Sequence, residues 1–414
     1  MWATISCTVW AEPLVPQTTA SRYETALIYL AGLVQGLALV TFPAASAIFT
    51  SPSGFDLSGT QYGAMFIPQV ALAIAASAFS PRMARRMGLR GPLFLGLVAD
   101  FVAMALLAAS PLLIGTSAAF VLLCIATGAL GLGFGATVMA LNTLVERFFP
   151  KSADSAVLAL NALLGVGTAL APVLVALSVA LGAWWGLPLL MTALVFLLLL
   201  GVRRAPFRLS YAAATTEGQL PARFWYYAVA VVIYGVVETL CGNWATLYLT
   251  SERGVAARDA SFALTAFWLA VTVGRVLIAL LERVIAGRRI YLVLPLLLAV
   301  VFQFVARAGG VASGVAAFAA AGFACSGFLP FSISFAGSEF PCRAAMMSGA
   351  LIAFYQVGYG LAAFSVGALR QFVGIEYSTI YSIASLVALA LGLVALRLVR
   401  GPLGTKKPRP VTHG

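Results

Sequence analysis

Glu238 interrupts an apolar run that begins near Phe224, in the stretch VVETLCGNWATLYL (236–249), and Asn243 and Trp244 follow it closely. A carboxylate among apolar side chains is costly unless it can shed its charge or meet a partner. An acid that can be either neutral or charged suits a device driven by proton binding and release. Tyr234, four residues earlier, shares its helical face and can donate to it. Asn243 offers both a donor and an acceptor, and Trp244 an aromatic face for the apolar side of a ring. On a regular helix Asn243 points about 140° away from Glu238. Either Gly242 breaks the helix and brings the two together, or one of them is structural.

Few other residues in the apolar runs could do chemistry. Arg275 needs a partner, and Glu339 is the carboxylate expected at a matching depth, as a structural or gating pair. Asp100 reads as a packing or relay carboxylate. Gln35, Gln69, Asn142, Asn161, Gln303, Tyr355, Gln356 and Tyr359 complete the polar set. Glu146 and Arg147 end one apolar run, and Glu146 can reach the cluster of Arg82, Arg85 and Arg86 or close a gate. The single histidine, His413, removes His-based triads and multi-His metal sites. The five cysteines form no CxxC pair and read as small buried side chains. No nucleophile–base pair or metal-ligand cluster is present, so an enzyme is not expected, and no cofactor is implied. No filter loop or ring of charge suggests a channel. The glycine row Gly128, Gly131, Gly133 and Gly135 lacks the Lys-Ser/Thr of a phosphate loop and reads as a close helix contact.

The elements that must position these residues follow from composition. Of 414 residues, 62% are hydrophobic and only 9% charged, against about 25% charged in soluble domains. The fold class is therefore all-α integral membrane, because the apolar runs are long and not alternating. Twelve runs are long enough to span a bilayer, from 24–46 through 224–249 to 377–399. With both termini inside, 20 of the 25 Lys and Arg residues fall in cytoplasmic segments, the orientation that the positive-inside rule selects. The net charge of +12 then needs no nucleic-acid partner. Residues 1–23 lack the features of a cleaved signal and read as a cytoplasmic tail. Residues 24–202 form one six-helix bundle, 203–223 a basic linker, 224–399 a second bundle, and 400–414 a cytoplasmic tail.

The two halves echo each other. SPRMARRMGLRGPL (80–93) parallels LLERVIAGRRIYLV (280–293), with Gly88 matching Gly287 and Arg90 matching Arg289. ALLGVGTALAP (162–172) parallels YQVGYGLAAFS (355–365), with Gly165 matching Gly358 and Gly167 matching Gly360. Repeated halves place a binding site between them near the midplane.

Twelve spans, a basic central loop and a basic Gly-turn after the second and eighth spans resemble the major facilitator superfamily. NTLVERFFP (142–150), LNALLGVGTALAP (160–172), the stretch around Glu238 and FWLAVTVGR (267–275) are similar to the fucose permease-like sugar symporters. The chain departs from the superfamily signature at Pro81 and at Arg85, which stands where an acid is usual, and its first span offers only Gln35 where those symporters carry an acid. The resemblance implies the major facilitator fold, two six-helix bundles that rock about a central cavity. It also implies secondary transport of a small polar, sugar-like solute by proton-coupled symport, with sodium as the other possible coupling ion. The alternative is proton-antiport efflux of amphipathic compounds, which the partial match of Gly165, Gly167 and Pro172 to an efflux motif keeps open. On this reading Glu238 couples the proton. Gln35, Asn142, Asn161, Tyr234, Asn243, Trp244, Tyr355 and Gln356 bind substrate. Glu146, Arg275, Glu339, Arg82 and Arg86 gate or pair. The expected setting is the lipid bilayer of the inner (plasma) membrane, with the chain a monomer.

Overall fold

The computed structural model describes residues 21–205, 207, 221–340 and 343–400. The expected tails, most of the basic linker, Cys7, Cys342 and His413 lie outside the described residues. Among the described residues, twelve helices are long and apolar enough to cross a membrane. They are α1 (Arg22–Thr50), α2 (Gly59–Met87), α3 (Arg90–Leu113), α4 (Ala118–Phe148), α5 (Ser155–Ala180) and α6 (Gly186–Arg204). The second set is α7 (Phe224–Ser251), α8 (Ala257–Leu281), α9 (Gly287–Ala306), α10 (Val311–Glu339), α11 (Met346–Val373) and α12 (Tyr377–Arg400). The chain is a multi-pass membrane protein.

Lipid cannot hydrogen-bond a backbone, so each span must close its own ladder or borrow a neighbour's donor where the ladder breaks. Two breaks show the borrowing. α2 is interrupted at Met65, whose carbonyl accepts from Thr127 on α4. α10 is interrupted between Cys325 and Phe328, and the Cys325 carbonyl accepts from Tyr234 on α7 at 2.8 Å. Large apolar side chains such as Leu189, Leu190 and Leu197 on α6 and Leu386 and Leu393 on α12 stay exposed, as a surface solvated by acyl chains requires.

The packing repeats on adding six to each helix number. Contacts α1–α5, α2–α4, α3–α4, α3–α6 and α1–α6 recur as α7–α11, α8–α10, α9–α10, α9–α12 and α7–α12. Small residues make these contacts close. A Cβ on Gly131 would lie 2.0 Å from the Gln69 carbonyl oxygen and one on Gly133 2.0 Å from Asp100 Oδ1, so the glycine row of α4 is a packing seam. Gly167 meets the backbone of α1 beside Gly36, as Gly358 meets α7 beside Gly235. This matches Gly167 with Gly358, a register two residues away from the one expected from sequence.

The halves touch along α5–α8 and α2–α11, again related by six, and along α1–α7. Call the end bearing Arg82, Arg86 and Arg223 the basic end. At the opposite, far end the α2–α11 seam is shut backbone to backbone: a Cβ on Gly63 would lie 2.2 Å from the Ala363 carbonyl oxygen, and one on Gly367 2.1 Å from that of Gly59.

Candidate functional site

α7 runs unbroken through Gly242, with Glu238 buried at its middle. Tyr234 donates to Glu238 Oε1 at 2.6 Å from one turn earlier, as the spacing predicts. Tyr355 of α11 donates to Oε2 at 2.5 Å. Both carboxyl oxygens are therefore held by phenols. The Tyr234 hydroxyl also reaches the Cys325 carbonyl at the α10 break. A phenol carries one hydrogen, so Tyr234 serves both acceptors at once only when Glu238 itself brings a proton. With Glu238 protonated, the acid donates to Tyr234 and Tyr234 donates to Cys325. With Glu238 charged, that hydrogen turns to the carboxylate and the α10 break loses its donor. Tyr234 thus links the Glu238 carboxyl to the α10 interruption.

Arg275 lies within electrostatic reach of Glu238 and Tyr355. Its Nε is buried and meets no hydrogen-bond partner among the described residues. The expected pair with Glu339 does not form. Glu339 instead makes a salt bridge with Arg223 and accepts from Tyr227 at 3.0 Å, while Arg223 also donates to the Leu398 carbonyl at 2.7 Å. Arg223 stands at the same depth as Glu339, at the start of α7, and the resulting clamp ties α7, α10 and α12 at the basic end. Arg275 lies deeper and faces the acid of α7.

Two amides expected to bind substrate come together: Asn161 Nδ2 donates to Asn142 Oδ1 at 3.3 Å across α4 and α5. Each also donates to the carbonyl one turn back, Asn142 to Val138 and Asn161 to Val157, both at 2.9 Å. α5 and α8 run antiparallel and meet where Gly165 faces Thr272, a Cβ there lying 2.3 Å from Thr272 Oγ1. Asn161 is four residues towards the basic end on α5 and Arg275 three on α8, so the two stand level across the seam. Gly165 and Gly167 are thus occupied in packing on α8 and α1.

Asn243 and Trp244 go elsewhere. Because α7 does not break, they point into the far-end seam rather than towards Glu238. Asn243 Nδ2 donates to Tyr359 Oη at 3.0 Å, and its carbonyl accepts from Tyr62 Oη at 3.0 Å. Trp244 is fully buried edge-on to Tyr62, with ring centroids 5.1 Å apart. These residues close the far end in this state. Gln35 is inside the N-terminal bundle, donating to Asp100 Oδ1 at 3.4 Å, so it satisfies a buried acid instead of lining the seam. Gln356 is buried beside Tyr355. Glu146, Arg82 and Arg86 are exposed at the basic end, with the Arg82 guanidinium 5.7 Å from the Phe79 ring centre.

Two residues escaped the sequence reading. Trp268 of α8 has a buried, unpartnered Nε1 and packs against α7 where Gly242 leaves room, a Cβ there lying 3.0 Å from its ring. Tyr62 of α2 bridges the halves. For Trp268 the signal was its place in FWLAVTVGR (267–275), and for Tyr62 there was none, since packing alone turns either ring into a contact.

No family model matches the sequence, and no curated protein matches it significantly. Among solved structures, the nucleoside transporter NupG superposes with a TM-score of 0.73 at 13% identity, over 90% of this chain and 99% of that one. A D-xylose–proton symporter gives 0.73 at 16% identity, over 93% and 98%. The Escherichia coli fucose:proton symporter FucP gives 0.58 at 16% identity, over 92% and 100%. The chain has the twelve-helix major facilitator fold, as the sequence resemblance implied.

Proposed function

We propose that the chain is a secondary active transporter that moves a small polar solute by alternating access, coupled to proton symport through Glu238. The observation that carries this reading is the buried carboxylate of α7, held by two phenols, one of which shares its hydrogen with the break in α10. The proton-coupled symport named for the xylose and fucose carriers of the same fold supports it. The seams between halves are built from backbone contacts at glycines and from aromatic edges, a construction that suits rigid surfaces able to part. The structure is shut at the far end, and the gathering of basic residues at the opposite end supports reading the far end as the outside of an inner (plasma) membrane, with both termini cytoplasmic. Protonation of Glu238 redirects the Tyr234 hydrogen to α10 and so biases one packing of the C-terminal bundle over the other; such a bias is what couples an ion to a two-state carrier.

The test is uptake by proteoliposomes across a solute panel under an imposed pH gradient, comparing the parent with Glu238→Gln. Gradient-driven uptake in the parent that is lost in the variant supports the reading. Equal uptake in both removes Glu238 from the mechanism.

A further inference from the structure

We propose that Arg275 receives the carboxylate of a small organic monoanion, with Trp268 donating to a hydroxyl further along the same molecule, and that this anion travels with the proton on Glu238. The proposal rests on the transporter reading above and names its substrate class.

Four observations meet here. First, Arg275 Nε is buried without an acceptor, and among the described residues no carboxylate lies within ion-pair distance of Arg275. The Nε edge of a guanidinium forms half of the fork that grips a carboxylate through two parallel hydrogen bonds. Second, Trp268 Nε1 is also buried and unpartnered. Seven residues separate it from Arg275, so both lie on one face of α8, about 10 Å apart along the axis. Third, the Asn142–Asn161 amides stand level with Arg275 across the α5–α8 seam. Fourth, the charges balance for one negative group only. Glu238 is the carboxylate within reach of Arg275, and both of its oxygens are occupied by Tyr234 and Tyr355.

An uncompensated charge at bilayer depth is expensive. While Glu238 is ionised, it balances Arg275. Once Glu238 takes a proton, Arg275 is left with an unbalanced positive charge, and a substrate carboxylate restores neutrality. Proton and anion therefore bind with positive coupling, and each raises the affinity for the other. A doubly charged phosphate would leave one charge over, and a neutral sugar would leave Arg275 uncovered. The carrier then moves one proton and one monoanion together, with no net charge.

That stoichiometry separates the proposal from symport of a neutral sugar. A neutral solute moving with a proton carries one positive charge, for which an inside-negative potential supports about fiftyfold accumulation per 100 mV. Proteoliposomes are offered gluconate, glucuronate or galacturonate from outside in one series and glucose, xylose or sorbitol in the other. Each series is run under a pH gradient alone and under a potassium diffusion potential alone. The expected result is carboxylate uptake driven by the pH gradient and unmoved by the potential, lost in Arg275→Gln and partly restored in Arg275→Lys. All variants are first shown to be monodisperse and to unfold no lower than the parent, so loss reports binding and not misfolding. Uptake of neutral solutes driven by the potential, with carboxylates refused, overturns the proposal and leaves the transporter reading standing. If no solute of either series moves under either gradient, the transporter reading falls and the proposal with it.

Discussion

The two bundles share one packing plan and differ in what they bury. The N-terminal bundle holds Asp100 on α3, against Gly133 of α4 and within reach of Gln35 of α1. Three helices of the same bundle enclose it. The C-terminal bundle holds Glu238 on α7, with a donor from its own helix, a donor from α11 and an arginine on α8. α7, α8 and α11 all meet the other half. A repeated scaffold thus holds one acid inside a bundle and the other beside the seam between the halves. Burial alone does not separate a coupling acid from a structural one. On the transporter reading proposed above, what separates them is whether the acid's partners belong to helices that meet the other half.

This contrast can be broken in graded steps. The largest effect is expected at Glu238: Glu238→Gln should bring gradient-driven uptake down to the leak of empty vesicles, measured with the best solute of the panel. Next come two glycines of equal tightness on different surfaces. Gly131→Val drives a side chain into the α2 backbone within one bundle, which should cost about 1–3 kcal/mol or more and lower the unfolding temperature in detergent. Gly63→Val drives one into Ala363 across the halves, which can part. Its unfolding temperature should hold, while a cysteine placed at Val70, now in contact with Gly360, becomes open to labelling from the far end. Equal loss of stability in both glycine variants would mean that the halves do not separate along α2–α11.

A smaller difference is expected between Arg223 and Arg275. Arg223→Gln breaks the clamp with Glu339, which is partly solvent-screened, and should cost about 1 kcal/mol in thermal unfolding. Arg275→Gln removes a charge that has no ion-pair partner and should unfold at or above the parental temperature. The smallest effect is expected at Asp100: Asp100→Asn keeps an acceptor for Gln35, so stability should change by about 1 kcal/mol or less and uptake should persist. Loss of coupled uptake in Asp100→Asn would erase the distinction between the two acids.

Much of this arrangement was legible in the residues because bilayer burial punishes polarity so strongly. A lone acid in an apolar run announced itself at Glu238, and the four-residue spacing to Tyr234 supplied its first partner. The pairing of Tyr355 with the same acid was not legible, since it joins positions 117 residues apart on different helices. α4 runs through Asn142 and Thr143 to Phe148 because these two turn their polar atoms back onto Val138 and Met139 and leave the helix intact. Depth alone misled at Glu339: Arg223 lay at the same level in the segment read as linker and took the pair. Asn243 and Trp244 depended on whether Gly242 bends the helix, and it does not, because the space beside it is filled by Trp268. Orphaned donors such as Trp268 Nε1 and Arg275 Nε become visible only when every neighbour is in place.

The central claim is that Glu238 is the group that carries the proton. It is tested most directly by counting protons with a pH-sensitive dye inside proteoliposomes while solute enters. The account predicts one proton per solute for the parent, and for Glu238→Gln solute exchange with no accompanying proton. A Glu238→Gln protein that still moves one proton with each solute would contradict it.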